Sequence, residues 1–352
     1  MLGVGIIGAG RVAQIAHLAT LSQVEGARLV ALAELRPELA ALVAARWNVP
    51  RTYAGHRELL ADPDVDAVVV VTQRSQTAAI VADALRAGKH VLSEKPMALS
   101  TVDARALVQL ARERGLVYAV GYMKRHDRGV GVARERIARW CADGGAGAML
   151  LVRATMNGGD DCAGNDWLMT AEPRTDAGFT VTAAVGDPAP KSPFDRFLNV
   201  FSHTTNLARF LTNAPIELTS AEHGAGNAVV AGRLGECAFS GAFADRVVPG
   251  WHESVDVVFE RATVSVAPPP PFDRNAAARI TIAHADGAIE DCSLPGWAFE
   301  RQARAFVADV MLGSEPLAPG SDAVADVALG EAFWRLSERT GVLKSPPRRP
   351  DS

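Results

Sequence analysis

The chain has 352 residues and a mass of 37.1 kDa, more than one hydrophobic core usually spans, so we expect two domains. Its formal net charge of -4 and pI of about 6.1 argue against nucleic acid or an anionic membrane as a partner. No apolar run reaches transmembrane length, and the start of the chain lacks the regions of a signal peptide. These features predict a cytoplasmic protein with reduced, buried cysteines.

Apolar strands alternate with helical stretches through residues 1–122, which we assign to one domain. The predicted strands are LGVGIIG, ARLVALAE, DAVVVVT, KHVLSE and LVYAVGY, and a helical stretch follows each of the first four. Strands that are apolar on both faces are typical of a parallel sheet covered by helices. The pattern therefore predicts an α/β fold with a doubly wound parallel sheet.

A glycine fingerprint, G-x-G-x-x-[GA], follows the first of these strands and opens a helix. Gly8 permits the tight turn, Gly10 lets the backbone approach a pyrophosphate, and Ala13 lets the helix pack closely on the strand. Arg11 and Val12 lie between them, at the helix start where free backbone amides bind anions. The fingerprint alone would also fit a plain strand–helix turn. With the strand and helix in place, it favours a dinucleotide cofactor.

Glu34 ends the second strand, roughly 20 residues beyond the fingerprint, where a carboxylate accepts hydrogen bonds from an adenosine ribose. Such a carboxylate repels a 2′-phosphate, so Glu34 predicts NAD in preference to NADP. Arg36 is close enough to reach a phosphate, which leaves NADP open. The alternative for Glu34 is a solvated strand end without a ligand.

The tripeptide Glu94-Lys95-Pro96 follows the strand HVLS, at the edge of the sheet where α/β proteins bind their ligands. A lysine there can stabilise the oxyanion that develops as hydride leaves a hydroxyl-bearing carbon. Glu94 would orient that lysine beside the cofactor. The alternative is a surface ion pair of little value.

Residues 123–341 are predicted to form a second domain of helices and strands, followed by a disordered tail at 342–352. Strands are expected at ECAFSGAFAD, SVDVVFER, ATVSVAPPPP and ARITIAHAD, after an earlier one at AGAMLLVRATM. Two amphipathic helices near the end are expected to return toward the first domain. A glycine- and aspartate-rich stretch, Asn157–Pro193, is predicted to form a substrate lid or else a disordered loop.

A helix predicted at Phe197–Leu211 carries Asn199, His203 and Asn206 at i, i+4 and i+7, which places them on one face. Imidazole titrates near working pH, so His203 is a candidate general base. The alternative is a histidine that only packs. No histidine, cysteine or carboxylate pair has convincing metal-ligand spacing, so we predict no metal site.

Four segments in this order, GIIGAGRVAQ, VVVVTQRSQT, GKHVLSEKPMALS and VGYMKRHD, resemble the Gfo/Idh/MocA dehydrogenase family. The resemblance implies a Rossmann domain followed by an α/β domain with an open, mostly antiparallel sheet. It also implies NAD(P)-dependent oxidation of sugar or cyclitol hydroxyls by a homo-oligomer, a dimer or a tetramer.

The same resemblance implies roles for individual residues. Lys95 would be the active-site lysine, and Thr72 and Gln73 would lie beside the cofactor. Arg125 would contact substrate, and His203 would be the base of an Asp-x-x-x-His pair. Asn199 stands where that pair has its aspartate and Asn206 replaces a later one, so both would bind substrate rather than raise the basicity of the histidine.

The hypothesis from the sequence is an NAD(P)-dependent oxidoreductase acting on a sugar, sugar derivative or cyclitol. Two alternatives stay open. One is a dinucleotide-binding sensor of the same fold without catalysis. The other is an intramolecular redox enzyme that holds NAD tightly. The sequence does not identify the substrate or the direction of the reaction.

Overall fold

A computed structural model describes residues 1–159, 161–173, 192–224, 226–244 and 250–340. Its first sheet has six parallel strands in the order β3-β2-β1-β4-β5-β6. They are β1 Leu2–Ile7, β2 Ala27–Ala33, β3 Arg51–Tyr53, β4 Ala67–Val70, β5 His90–Ser93 and β6 Tyr118–Val120. The order reverses between β1 and β4, and such a reversal opens a ligand crevice beyond the carboxyl ends of the strands. The predicted doubly wound parallel sheet is confirmed.

Helices cover both faces of this sheet. They are a π-helix Ala13–Leu18 that continues as α1 Ala19–Leu21, then α2 Pro37–Trp47, α3 His56–Leu60, α4 Arg74–Arg86 and α5 Thr101–Arg114. Local chemistry sets several of their ends. Pro37 begins α2, and the Ser100 hydroxyl accepts a hydrogen bond from Asp103 N at 3.0 Å at the start of α5. The helix expected after the glycine fingerprint is confirmed, and most of it has π geometry.

The second sheet has eight strands in the order β14-β13-β12-β11-β7-β10-β9-β8. They are β7 Met149–Asn157, β8 Ile216–His223, β9 Asn227–Leu234, β10 Cys237–Ala244, β11 His252–Phe259, β12 Ala262–Ala267, β13 Arg279–His284 and β14 Ile289–Asp291. Only β7 and β10 pair in parallel, so the predicted mostly antiparallel sheet is confirmed. Buried and accessible positions alternate along β11 and β12, as expected for a sheet with one covered face.

The remaining helices join the two sheets. A 3-10 helix Met123–His126 leads into α6 Arg128–Asp143, and α7 Pro193–Arg196 leads through a π-helix Phe197–Phe201 into α8 Ser202–Thr212. Near the end of the chain, α9 Ala298–Leu312 packs on α1 and the 3-10 helix, and α10 Gly320–Thr340 packs on α5, β6 and β8. A domain boundary near residue 122 stays a prediction.

Some expectations fall outside the described residues or fail. The predicted tail and most of the predicted lid lie outside the described residues. Cys237 is buried, but Cys141 lies exposed on α6, so the expectation of buried thiols is wrong for Cys141. Across the described ranges, no helix has the length and apolarity needed to cross a bilayer.

Candidate active site

The turn after β1 has the geometry of a phosphate cradle. Gly8 has a φ of +97°, and a Cβ there would lie 2.3 Å from the Val71 carbonyl oxygen, so only glycine fits. A Cβ on Gly10 would meet no heavy atom within 4 Å, so open space lies beside its backbone. The first backbone bond of the following helix runs from Gln14 N to Gly10 O at 3.1 Å. Amides before Gln14 therefore lack an intrahelical acceptor and suit an anion.

Thr72, just beyond β4, borders this turn. Its methyl carbon would lie 3.5 Å from a Cβ on Gly8, and its buried hydroxyl has no hydrogen-bond partner. A buried polar atom without a partner is rare and indicates a missing ligand or water. Gln73 is exposed at the N-cap of α4. The open space at Gly10, the free amides and the Thr72 hydroxyl together fit a dinucleotide.

Glu34 is buried against the same turn, which excludes the alternative of a solvated strand end. Its Oε2 accepts a hydrogen bond from Ala9 N at 2.9 Å, and its Oε1 accepts one from Arg36 Nε at 2.7 Å. This hydrogen bond to Glu34 is the main cause that raises the pKa of Arg36 above its ordinary value. The carboxylate thus lies where a ribose is expected, and it already pairs with Arg36.

Of the other fingerprint residues, Ala13 and Val12 pack inside the fold, and Arg11 binds a distant segment of the chain. Ala13 is fully buried, as close packing of helix on strand requires, and Val12 is partly buried. The Arg11 guanidinium binds both carboxylate oxygens of Asp161, at 2.9 and 3.0 Å, and lies over the ring of Trp167. The side chain of Arg11 is therefore committed to residues 161–173, and only its backbone remains for a cofactor.

Lys95 extends from the end of β5 toward the second half of the chain. Its Nζ donates hydrogen bonds to the main-chain oxygen and to Oδ1 of Asn199 in the π-helix, the latter at 3.0 Å. Glu94 does not contact this ammonium group. Its Oε1 lies 2.9 Å from His17 Nε2, and its Oε2 accepts a hydrogen bond from Lys95 N at 3.2 Å. Glu94 thus holds the backbone of Lys95 and leaves its amine directed at Asn199.

Burial and neighbouring charges perturb the pKa of Lys95. Desolvation lowers this pKa to about 8, and the positive charges of Arg74 and Lys124 act in the same direction, against the carboxylate of Glu94. Titration near working pH is expected of groups that transfer protons or stabilise developing charge. The tripeptide is therefore not a surface ion pair.

His203 is the second residue of α8, and it lies within electrostatic range of Lys95 and Lys124. Its ring meets the ring of Tyr122 edge-on at 6.0 Å, and its Nδ1 is buried without a hydrogen-bond partner. Burial, followed by the charges of Lys95 and Lys124, lowers its pKa well below the ordinary value. The imidazole is thus neutral at pH 7 and able to accept a proton.

Lys124 also belongs to this site, although it was not among the residues predicted from the sequence. It is buried, it forms an ion pair with Glu253, and Glu253 Oε1 also accepts a hydrogen bond from Thr204 Oγ1 at 2.9 Å. Desolvation lowers the pKa of Lys124, and the Glu253 carboxylate opposes that effect. Lys124 follows β6 as Lys95 follows β5, so the strand-end argument used for Lys95 could have found it.

Arg125 and Asn206 bind each other and side chains of α10, and their role in substrate binding stays a prediction. Arg125 Nε donates to Asn206 Oδ1 at 2.8 Å, and Asn206 Nδ2 donates to Asp326 Oδ2 at 2.7 Å. Both residues are buried, and the Arg125 guanidinium also pairs with Asp322. The π-helix Phe197–Phe201 changes the phase of the chain, so Asn199 and Asn206 no longer share a face.

A bidentate ion pair holds this helical segment against the first sheet. Arg74, at the start of α4, donates to both carboxylate oxygens of Asp195 at 2.6 and 2.8 Å. Asp195 lies two residues before the π-helix and four before Asn199, so the pair helps to position Asn199 opposite Lys95. No group of three metal-ligating side chains occurs among the residues that the structure describes.

Comparisons with known proteins place this geometry in context. Residues 2–122 match the model of the GFO_IDH_MocA family, described as an oxidoreductase family with an NAD-binding Rossmann fold. Myo-inositol 2-dehydrogenase from Thermotoga maritima is 28% identical over 134 residues, which cover 38% of this chain and 40% of that protein. 1,5-anhydro-D-fructose reductase from Ensifer adhaerens is 36% identical over 138 residues, with the same coverage. The similarity therefore spans less than half of these relatives.

Solved structures extend the similarity of fold to nearly the whole chain. The aldose-aldose oxidoreductase from Caulobacter crescentus superposes with a TM-score of 0.75 at 20% identity, covering 97% of this chain and 98% of that one. A 3-ketoreductase from Actinomadura kijaniata, in complex with TDP-benzene and NADP, gives a TM-score of 0.73 at 22% identity with the same coverage. At this level of identity the comparison establishes the architecture of both halves.

Proposed function

We propose that the protein transfers hydride between a nicotinamide dinucleotide and a sugar, sugar derivative or cyclitol, and the match of residues 2–122 to the GFO_IDH_MocA oxidoreductase family model supports this proposal. One observation carries this proposal. Lys95, an amine with a pKa of about 8 just beyond β5, lies within electrostatic range of the His203 imidazole, which is neutral at pH 7 and has a buried Nδ1 without a hydrogen-bond partner. Oxidation of a hydroxyl requires a proton acceptor and a group that stabilises the alkoxide, and this pair supplies both.

Each residue has a distinct task in this proposal. His203 accepts the hydroxyl proton on an imidazole nitrogen, and the Lys95 ammonium stabilises the negative charge that develops on the substrate oxygen. Asn199 orients Lys95 through the two hydrogen bonds that it accepts. A bound nicotinamide would supply the acceptor for the hydride. In the reverse direction, Lys95 and His203 would polarise and protonate a ketone.

The cofactor is assigned to the crevice beside the glycine turn. Gly8 and Gly10 would admit the pyrophosphate, and Thr72 and Gln73 would line the crevice. Glu34 supports NAD in preference to NADP, because its buried carboxylate would repel a 2′-phosphate. Two relatives are named as an inositol dehydrogenase and an anhydro-fructose reductase, which favours a small polyhydroxylated substrate here.

We also propose a cytoplasmic homo-oligomer, a dimer or a tetramer. An exposed thiol, Cys141, suits a reducing compartment. Small side chains lie side by side on the outer face of the second sheet, where Ala242 pairs with Val229 on one strand and Thr155 on another. These accessible small side chains favour self-association between copies.

Cofactor binding tests the proposal without knowledge of the substrate. Gly10→Val places a side chain in space that holds no protein atom within 4 Å of its Cβ, so the variant should fold and lose NADH binding. Gly131→Val is the matched control, since Gly131 on α6 is equally open. Energy transfer from tryptophan to NADH should saturate in the wild type and in Gly131→Val only. Equal binding by Gly10→Val would contradict the assignment of the crevice.

A further inference from the structure

Residues 161–173, which we call the strap, contact two places in the first half of the chain. One is the start of the helix after the glycine turn, and the other is the start of α2. At the first place, Asp161 binds Arg11. Leu168 N donates a hydrogen bond to the side-chain Oε1 of Gln14 at 2.8 Å, and Gln14 Nε2 donates one to Leu168 O at 3.0 Å. At the second place, the Glu172 carboxylate accepts hydrogen bonds from backbone amides at the start of α2. These two helix starts flank the crevice in which a dinucleotide is proposed to lie. The strap therefore borders that crevice along its adenosine side.

Glu172 caps α2 from outside the helix. Its Oε1 accepts a hydrogen bond from Glu38 N and its Oε2 accepts one from Leu39 N, both at 3.0 Å. Pro37 precedes them and has no N–H, so these two amides are the first donors that α2 offers. Thr170 Oγ1 also donates to Glu172 Oε2, at 2.9 Å. The carboxylate thus has the contacts of an anion bound at a helix start.

The ionisation of Glu172 agrees with this arrangement. Desolvation acts to raise its pKa, but the two backbone amides, the Thr170 hydroxyl and the charge of Arg36 outweigh that effect and lower the pKa below its ordinary value. The hydrogen bond to Glu34 is the main cause that raises the pKa of Arg36, and the charge of Glu172 raises it further. Two carboxylates therefore converge on one guanidinium and one helix start.

The same groups are what a 2′-phosphate would need. In doubly wound folds a residue at the end of the second strand meets the adenosine ribose, and an arginine close by accommodates the phosphate of NADP. Here Arg36 Nε is 2.7 Å from Glu34 Oε1, and the first amides of α2 are bonded to Glu172. A phosphate entering this place would have to displace a carboxylate and face a second one.

We infer that Glu172 occupies the anion site of a 2′-phosphate and thereby makes the protein select NAD over NADP. This inference rests on the proposed function, since it requires a dinucleotide in the crevice. It assigns the selection to a residue on the strap, more than 130 positions along the chain from the helix that it caps. Glu34 supplies the ribose contact and repels a 2′-phosphate, and Glu172 fills the anion site that such a phosphate would need.

The test compares NADH and NADPH binding, by energy transfer from tryptophan, in protein first freed of retained dinucleotide. Glu172→Ala should strengthen NADPH binding by about tenfold to a hundredfold, the worth of a hydrogen-bonded charged contact, and leave NADH binding within about threefold. Glu172→Gln keeps the size of the side chain without its charge and should shift the preference in the same direction. Asp166→Ala is the control, since Asp166 is a 93% exposed strap residue whose oxygen is 3.7 Å from Arg46.

The outcomes separate the inference from the proposed function. If the wild type binds NADH and both Glu172 variants keep its preference, the inference is wrong and the proposed function stands. A loss of NADH binding in both variants, without a gain for NADPH, would show that the strap merely clamps the cofactor and would also overturn the inference. If the wild type binds neither dinucleotide, both the proposed function and the inference fail.

Discussion

Three cations and one imidazole lie close together at the cleft, and burial, followed by repulsion from neighbouring cations, lowers the pKa of Lys95 and of His203. Arg74 and Lys124 lower the pKa of Lys95, and Lys95 and Lys124 lower the pKa of His203. Arg74 and Lys124 each have a carboxylate partner, Asp195 and Glu253 respectively. Lys95 instead contacts the neutral amide of Asn199. An aspartate at position 199 would oppose the lowering of the Lys95 pKa, so Asn199 preserves an amine that titrates near pH 8.

The pH dependence of kcat should report this environment. His203 is neutral throughout the range above pH 6.5, because its folded pKa lies well below that value, so it imposes no acid limb there. Lys95 stabilises the alkoxide as an ammonium ion, which is lost as pH rises through about 8. We expect kcat for oxidation, measured at saturating NAD and substrate, to be level between pH 6.5 and 7.5 and to fall above about pH 8. If kcat instead fell only near pH 10.4, the ordinary pKa of lysine being about 10.4, the lowered pKa of Lys95 would be contradicted.

Functional residues at strand ends could be predicted from the sequence, but the side chains that they contact could not. Lys95 could be predicted because a charged tripeptide follows a buried strand, where sheet topology places ligands. The pairing of Glu94 with His17 and of Lys95 with Asn199 depends on contacts between distant segments, at 2.9 and 3.0 Å. No local pattern encodes such contacts.

At the scale of elements, the two π-helices are where the structure departs most from regular periodicity. One follows the glycine turn and the other carries Asn199. In the second, Phe197 stacks on Phe333 at 4.2 Å and Phe201 stacks on Phe243 at 4.6 Å between ring centroids. Because this aromatic packing involves residues far apart in the chain, the wider turn was not predictable from the local sequence. It explains why Asn206 is buried while Asn199 faces Lys95.

The start of α6 provides a test of element stability. Asp127 is buried, and its carboxylate accepts hydrogen bonds from Gly129 N at 2.9 Å, Val130 N at 3.3 Å and Ala278 N at 2.8 Å. Asp127→Ala would leave these donors buried without acceptors and should lower the free energy of unfolding by about 2–4 kcal/mol, measured by urea denaturation.

Asp286→Ala is the matched control for that variant. Asp286 also accepts a backbone hydrogen bond, from Ala288 N at 3.0 Å, but it lies in an exposed turn. Its replacement should cost less than about 1 kcal/mol, because water can satisfy the freed amide. Equal losses in the two variants would show that the cap of α6 does not depend on its burial.

On the scale of the whole molecule, α10 connects the two sheets. Arg209 on α8 donates to Asp326 Oδ1 at 2.8 Å and to Asp322 Oδ1 at 2.6 Å, and both aspartates belong to α10. The same helix packs on α5 and β6 of the first sheet. The position of α8, and with it that of His203, is therefore set by a helix from the end of the chain.

The two sheets differed in how well their strands could be predicted. Most strands of the first sheet are apolar runs because helices cover both faces, so they were evident in the sequence, whereas the short edge strand β3, Arg51–Tyr53, was not predicted. The strands β8 and β9 escaped prediction, since some covered positions hold a small or polar residue, such as Ala221 and His223, while Val229 lies on the open face. Such strands show little contrast between the covered and the open face.

Lys95→Met tests most directly whether the two sheets meet at a catalytic site. The variant removes the ammonium group and keeps the length of the side chain, so folding and the glycine turn should be preserved. We predict that kcat falls by about a hundredfold to a thousandfold, the usual effect of removing one group that stabilises an oxyanion, while the Kd for NADH changes by less than about threefold. A variant that turns over at the rate of the wild type would contradict the account.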